Sequence, residues 1–224
     1  TTIKINNSNN FRVNVSNAIT AGDYNYNVID FNRSISTWLH FQNDGLDSSP
    51  KNNAPFIWLP VYRNATYGKG IYVAGDTYVE WSSGYNPLNV SIEKGISISL
   101  WFNLTEDLSK NNNDHYLLSA FDFTAPSTEI GLYLTGATDF IFFNVAKGGT
   151  NCVVYSNKNF TDSTAFYRNK FNHVAATYYN GTSKLYVNGV IQGVPSNSCG
   201  YLTTNFTKLY IGSINTLALK ANAT

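Results

Sequence analysis

The chain has 224 residues, 43% hydrophobic and 15% aromatic, enough apolar material for one large core. Only 13% of residues are charged, with Lys and Arg at 15 against Asp and Glu at 14, about half the usual share of roughly 25%. That balance excludes the basic footprint of a nucleic-acid binder, and no apolar run reaches the ~18 residues of a membrane span. Polarity rests instead on Asn, Ser and Thr, whose character does not change with pH, as suits a harsh exterior or an AT-rich genome.

Residues 1–34 read as an arm. Ile3 and Ile5 alternate with polar residues, as do Phe11, Val13 and Val15, and Asn6 to Asn10 break the two pieces. Ala21-Gly22-Asp23 is a turn signal, and Tyr24, Tyr26 and Val28 alternate again. Such an arm either folds back on its own domain or is offered as a strand to a neighbour.

A compact domain is expected over 35–224. Trp38-Leu39-His40-Phe41 predicts a strand leading into a loop through Asp44, Asp47-Ser48-Ser49 and Pro50. Phe56 to Tyr62 is apolar, but Pro55 and Pro60 confine it to an edge or a loop. Gly70 to Val73 and Thr77 to Trp81 flank Gly75-Asp76 and predict a hairpin. Ile96 to Phe102 alternates cleanly and predicts a central strand with one buried face. Strands follow at Tyr116–Phe123, Glu129–Leu134, Asp139–Val145 and Asn151–Tyr155.

Phe171, Val174 and Ala176, then Leu185 and Val187, bracket Asn180-Gly181, a dipeptide that tolerates the positive φ of a tight hairpin turn. Asn188-Gly189 predicts a second reversal into Val190-Ile191, and Lys208 to Gly212 a last strand. No stretch has a helical period. Many short strands punctuated by Gly and Asn predict an all-β, antiparallel sandwich or barrel.

Asn6, Asn14, Asn32, Asn64, Asn89, Asn103, Asn159, Asn180, Asn205 and Asn222 each open an N-x-[ST] glycosylation pattern. Methionine is absent, position 1 included, so a processed, exported form is expected, with Thr1 left by leader removal. Cys152 and Cys199 are either two buried thiols or, in an exported chain, a disulfide stabilising by roughly 3–5 kcal/mol.

Several of these pieces, in this order, make the chain resemble the laminin-G-like, concanavalin A-like jelly-roll family. They are Asp47-Ser48-Ser49, Gly75-Asp76-Thr77-Tyr78-Val79, Ile98-Ser99-Leu100-Trp101-Phe102 and Leu117-Leu118-Ser119. Phe171-Asn172-His173-Val174-Ala175-Ala176-Thr177-Tyr178, Leu185-Tyr186-Val187-Asn188-Gly189 and Tyr210-Ile211-Gly212-Ser213 complete the set. The family closes its sheet with a bulky last strand. Here Ile214 to Ala221 is mostly small, so either this tail is a poor final strand or another segment, the arm first of all, closes the sheet.

Glucanases of this fold use Glu-x-Asp-x-x-Glu on one strand. Glu80, Glu93, Glu106 and Glu129 lack that spacing, and His40, His115 and His173 are scattered, so no enzyme is expected. His173 reads as a structural strand residue. The resemblance also implies calcium as a conceivable ligand on a loop rim. Asp44, Asp47, Asp76, Asp122 and Asp139 supply oxygen there, although turn formation is the readier explanation of each. Tyr178 and Tyr179 are expected as exposed aromatics for sugar rings.

The expected function is an exported, glycosylated subunit of an extracellular filament, polymerising as the arm (Ile3, Ile5, Phe11, Val13, Val15) pairs into the next copy. In this it is loosely similar to strand-linked archaeal surface threads. The alternative is a lectin-like module for extracellular carbohydrate in a cell-surface or viral fibre protein.

Overall fold

The computed structural model describes residues 37, 39–49, 52–66, 68–73, 77–81, 95–105, 114–121, 129–135, 138, 140–147, 150–157, 169–194, 206 and 208–212. All lie within the unit Phe31–Thr224. The arm with Ile3, Ile5, Phe11, Val13 and Val15 lies outside the described residues. So do Asn6, Asn14, Asn32, Asn89, Asn159, Asn205, Asn222, Asp76, Asp122, Asp139, Cys199 and the tail after Gly212.

The described residues form strands and no helix, as expected of an all-β chain. In chain order they are β1 (Phe56–Trp58), β2 (Tyr62–Asn64), β3 (Lys69–Ile71), β4 (Tyr78–Trp81), β5 (Ile96–Asn103), β6 (His115–Phe121) and β7 (Glu129–Leu134). β8 (Ile141–Lys147), β9 (Thr150–Tyr155), β10 (Phe171–Tyr179), β11 (Thr182–Val187), β12 (Val190–Gln192) and β13 (Lys208–Ile211) follow. One sheet runs β1-β4-β13-β6-β7-β8-β9 and a second β12-β11-β10-β5, all antiparallel, with β2 and β3 as a separate ribbon.

Period-2 alternation explains why the two sheets stack. Along β8, Ile141, Phe143 and Val145 are buried in the core, and along β7 so are Ile130, Leu132 and Leu134. Facing them, Ile96, Ile98 and Phe102 come from β5, Val174, Ala176 and Tyr178 from β10, and Leu185 and Val187 from β11. Burial of these apolar faces against each other, at roughly 25 cal/mol per Å² of apolar surface, is what favours the sandwich. Cys152 joins the core from β9, fully buried and disulfide-bonded.

Both Asn-Gly turns form as the sequence predicts. Asn180 and Gly181 take φ of 48° and 78°, and Asn188 and Gly189 take 50° and 81°. Positive φ at both central residues is the turn whose twist matches antiparallel strands. Among the described strands Phe56–Trp58 lies at the edge of its sheet, where its flanking prolines are tolerated.

Three expectations are corrected. Gly70–Val73 and Thr77–Trp81 do not pair with each other. β3 pairs with β2 through Tyr62↔Ile71, whereas β4 lies between β1 and β13. The nearer partner wins because Ala65 and Gly68 close a tight turn, the Ala65 N–H donating to the Gly68 carbonyl at 2.9 Å. Leu39 forms only an isolated bridge to Asp47, and Phe41 stands at φ 52°, which ends any extended run there. Among the described strands, β5 comes last in its sheet's order rather than centrally.

Candidate functional site

The face of the seven-stranded sheet turned away from the core collects an unusual density of aromatic side chains. Register puts Tyr116 opposite Tyr133, Tyr133 opposite Phe142, and Phe142 opposite Tyr155, one ring on each of β6, β7, β8 and β9. Successive ring centroids are 4.8, 5.5 and 5.5 Å apart and tilted by 25°, 15° and 28°, so the rings stand stacked in a row. Phe140 meets Tyr155 edge-on at 5.9 Å, and Tyr155, at the open end, is 53% exposed.

A register shift between Tyr116 and Leu118 makes this row possible. Leu118 points into the core opposite Leu132, so plain alternation would set Leu117 on the outer side opposite Tyr133. The bulge gives that place to Tyr116 instead.

Beside the aromatic row runs a second row that crosses the whole sheet: Phe56, Glu80, Tyr210, Ser119, Gly131, Asn144 and Val153. Six interstrand steps make it about 29 Å long. Its middle, Ser119 and Gly131, is small and buried, and the Tyr116 and Tyr133 rings lie against Gly131. At one end Phe56 and Trp58, 57% and 45% exposed, lie 6.0 Å apart on the same side.

Asn144 is the polar centre of this face. Its Nδ2 donates to Glu129 Oε1 at 2.5 Å. Its Oδ1 is buried without a hydrogen-bond partner, in a residue only 6% exposed. A buried acceptor left unsatisfied costs on the order of 1–3 kcal/mol.

Two of the charges on the face cancel. Lys208 Nζ lies 2.8 Å from Glu80 Oε1, and that hydrogen bond holds the lysine pKa above its ordinary value. Burial, reinforced by the charge of Glu129, pushes the Tyr116 phenol up. Burial with Asp114 and Glu129 takes Tyr133 up to about 12. Burial also raises Tyr210. These phenols are therefore neutral hydroxyl groups at any physiological pH, able both to donate and to accept.

The sequence-predicted site residues fall unevenly. Tyr178 is not a sugar platform: at 1% exposure it is a core residue, because it alternates inward with Val174 and Ala176, while Tyr179 is exposed. His173 is a strand residue of β10 whose Nε2 lies 2.8 Å from Ser99 Oγ. Asn64, Asn103 and Asn180 are all exposed. Asp44 and Asp47 are each engaged in their own turns. Asp44 Oδ1 accepts from the Leu46 N–H at 3.2 Å. Asp47 is buried, its carboxylate accepting from the Ser49 N–H and Oγ and the Asn53 N–H at 2.8, 2.9 and 2.7 Å. Both carboxylates staple turns. Among the described residues no group of three His, Cys, Asp or Glu side chains could hold a metal. The aromatic row itself was missed in the sequence, where its tyrosines read as ordinary strand formers.

A family model described as the concanavalin A-like lectin/glucanases superfamily matches residues 73–222. Domain 4 of AbnA, a GH43 extracellular arabinanase from Geobacillus stearothermophilus solved in complex with arabinotriose, is similar at a TM-score of 0.64. It shares 17% identity and covers 81% of this chain and 84% of its own. The receptor binding domain of botulinum neurotoxin D is similar at 0.56 and 15% identity over 76% of this chain, which spans only 42% of that one. Mouse laminin alpha1 domains LG4-5 align at 0.48 and 16% identity, over 65% of this chain and 34% of theirs. No curated protein matches the sequence.

Proposed function

The chain belongs to the concanavalin A-like lectin/glucanases superfamily, and from that premise we propose a noncatalytic, lectin-like module that holds neutral carbohydrate. The binding surface is the outer face of the seven-stranded sheet. The observation that carries this reading is the Tyr116-Tyr133-Phe142-Tyr155 row of stacked rings, open to solvent at Tyr155. An apolar, largely aromatic surface with a few convergent polar groups is the usual make-up of a small-ligand site. The arabinotriose held by the arabinanase domain supports a saccharide as the ligand class.

Charge favours a neutral glycan. Glu80 and Lys208 neutralise each other, which leaves Glu129 to repel sulfated or sialylated chains. Carboxylate placement supports binding without hydrolysis. Among the described residues of this face, Glu80 and Glu129 lie three interstrand steps and two residues apart, about 16 Å, whereas glycosidase pairs stand roughly 5–10 Å apart. Export to the cell surface is supported by the disulfide at Cys152 and by the exposure of Asn64, Asn103 and Asn180. The filament subunit expected from the sequence draws no support from the described residues.

Isothermal titration with neutral oligosaccharides, arabinotriose first, tests the reading. Micromolar to millimolar binding is expected, indifferent to chelator and lost in Tyr133→Ala. Binding that survives Tyr133→Ala, or none across a broad glycan array, overturns it.

A further inference from the structure

The opposite side of the sandwich, the outer face of the four-stranded sheet, carries a separate feature. Trp101 on β5 is 47% exposed, and its indole lies 5.1 Å from the His173 ring. Ser99 Oγ, 2.8 Å from His173 Nε2, fixes the imidazole in that place. The surrounding positions are small: Ser97 and Ser99 on β5 stand opposite Thr177 and Ala175 on β10. The indole therefore rises beside a low floor.

Strand alternation sets Ser97, Ser99, Trp101 and Asn103 on one side of β5, and all four are exposed. Asn103 opens the pattern Asn103-Leu104-Thr105, and Thr105 is exposed as well, so the amide and the hydroxyl the pattern requires are both at the surface. Two residues along a strand is about 7 Å, a distance one pyranose ring bridges. The other described acceptors are placed differently. Asn180 sits in a tight turn after the buried Tyr178, and Tyr62, two residues before Asn64, is half-buried.

We propose that Asn103 carries an N-linked glycan whose first N-acetylhexosamine lays its apolar ring face on the Trp101 indole and covers this side of the sheet. In the modification Asn103 Nδ2 bonds to the anomeric carbon of a lipid-pyrophosphate-linked oligosaccharide. The anomeric C–O bond breaks, the lipid pyrophosphate leaves, and Nδ2 gives up one proton. A sugar tethered in this way occupies Trp101 permanently, so this face is closed while the tyrosine-rich face remains for free ligand.

The inference rests on export of the chain. Glycopeptide mass spectrometry of the protein from its native host reads the occupancy of every acceptor. Thermal unfolding before and after enzymatic glycan removal, in wild type and Trp101→Ala, reads the contact. Occupied Asn103 is expected, with removal lowering Tm by roughly 2–4 °C in wild type and hardly at all in Trp101→Ala. Asn103→Gln should match the deglycosylated wild type. Glycans elsewhere with Asn103 bare, or an equal Tm loss in Trp101→Ala, overturns the inference. A chain bare at every acceptor overturns the export reading with it.

Discussion

Gly131 and Tyr133 are fitted to one another on the same face of β7. A Cβ on Gly131 would stand 3.2 Å from Tyr133 Cδ1 and 3.5 Å from Tyr116 Cε1. The two stacked rings thus use the space a side chain would fill. Gly131→Ala should tilt the row by a few tenths of an ångström without unfolding the sheet. Titration should show a three- to tenfold loss of saccharide affinity, about 0.7–1.4 kcal/mol, with the fold intact by circular dichroism. Unchanged affinity would separate the ring row from binding.

Tyr133 also predicts an alkaline instability. Its phenol is raised from 10.0 to about 12 in the folded chain, so between those values the unfolded chain has already lost the proton that the folded chain keeps. Stability from this group is complete below pH 10 and falls as pH rises toward 12. Tm measured across that window should decline, and Tyr133→Phe, which cannot ionise, should flatten part of the decline. An identical slope in the variant would refute the assignment.

The fold was legible in the sequence where local chemistry decides it. Asn180-Gly181 and Asn188-Gly189 each specify a turn with two positive φ angles, and β10, β11 and β12 follow from them. Pairing between distant segments was less legible. β3 and β4 both read as strands, yet only the register of the whole sheet assigns one to a ribbon with β2 and the other to the place beside β13. The candidate face was hidden for the same reason. Tyr116, Tyr133, Phe142 and Tyr155 are scattered through the chain and become neighbours only when four strands align. The bulge before Leu118, which gives Tyr116 its place, has no glycine to announce it. Tyr178 misled because two adjacent tyrosines on a strand look alike until the core side is known.

Ser183 offers a test of the core itself. It is fully buried on β11, its side chain facing inward with Leu185 and Val187, and its Oγ has no hydrogen-bond partner. A buried hydroxyl without a partner costs about 1–3 kcal/mol by mutational measure. Ser183→Ala removes that cost and almost no volume. Calorimetry should find Tm raised by roughly 2–4 °C for each kcal/mol recovered. A lower Tm would show that the hydroxyl is satisfied.

Cys152 bears on stability and compartment together. It lies in the core from β9, fully buried and disulfide-bonded, and Cys199 is the other cysteine of the sequence. Peptide mapping without reduction should recover Cys152 joined to Cys199. A bridge closing a loop of that length restrains the unfolded chain and contributes roughly 3–5 kcal/mol. Cys152→Ser should lower the denaturant midpoint accordingly, and Cys199→Ser should do so by the same amount, because either change opens the same loop. The double variant should cost no more than one alone. Additive losses would mean that each sulfur contributes through its own packing and that the loop closure is not the source of the stability.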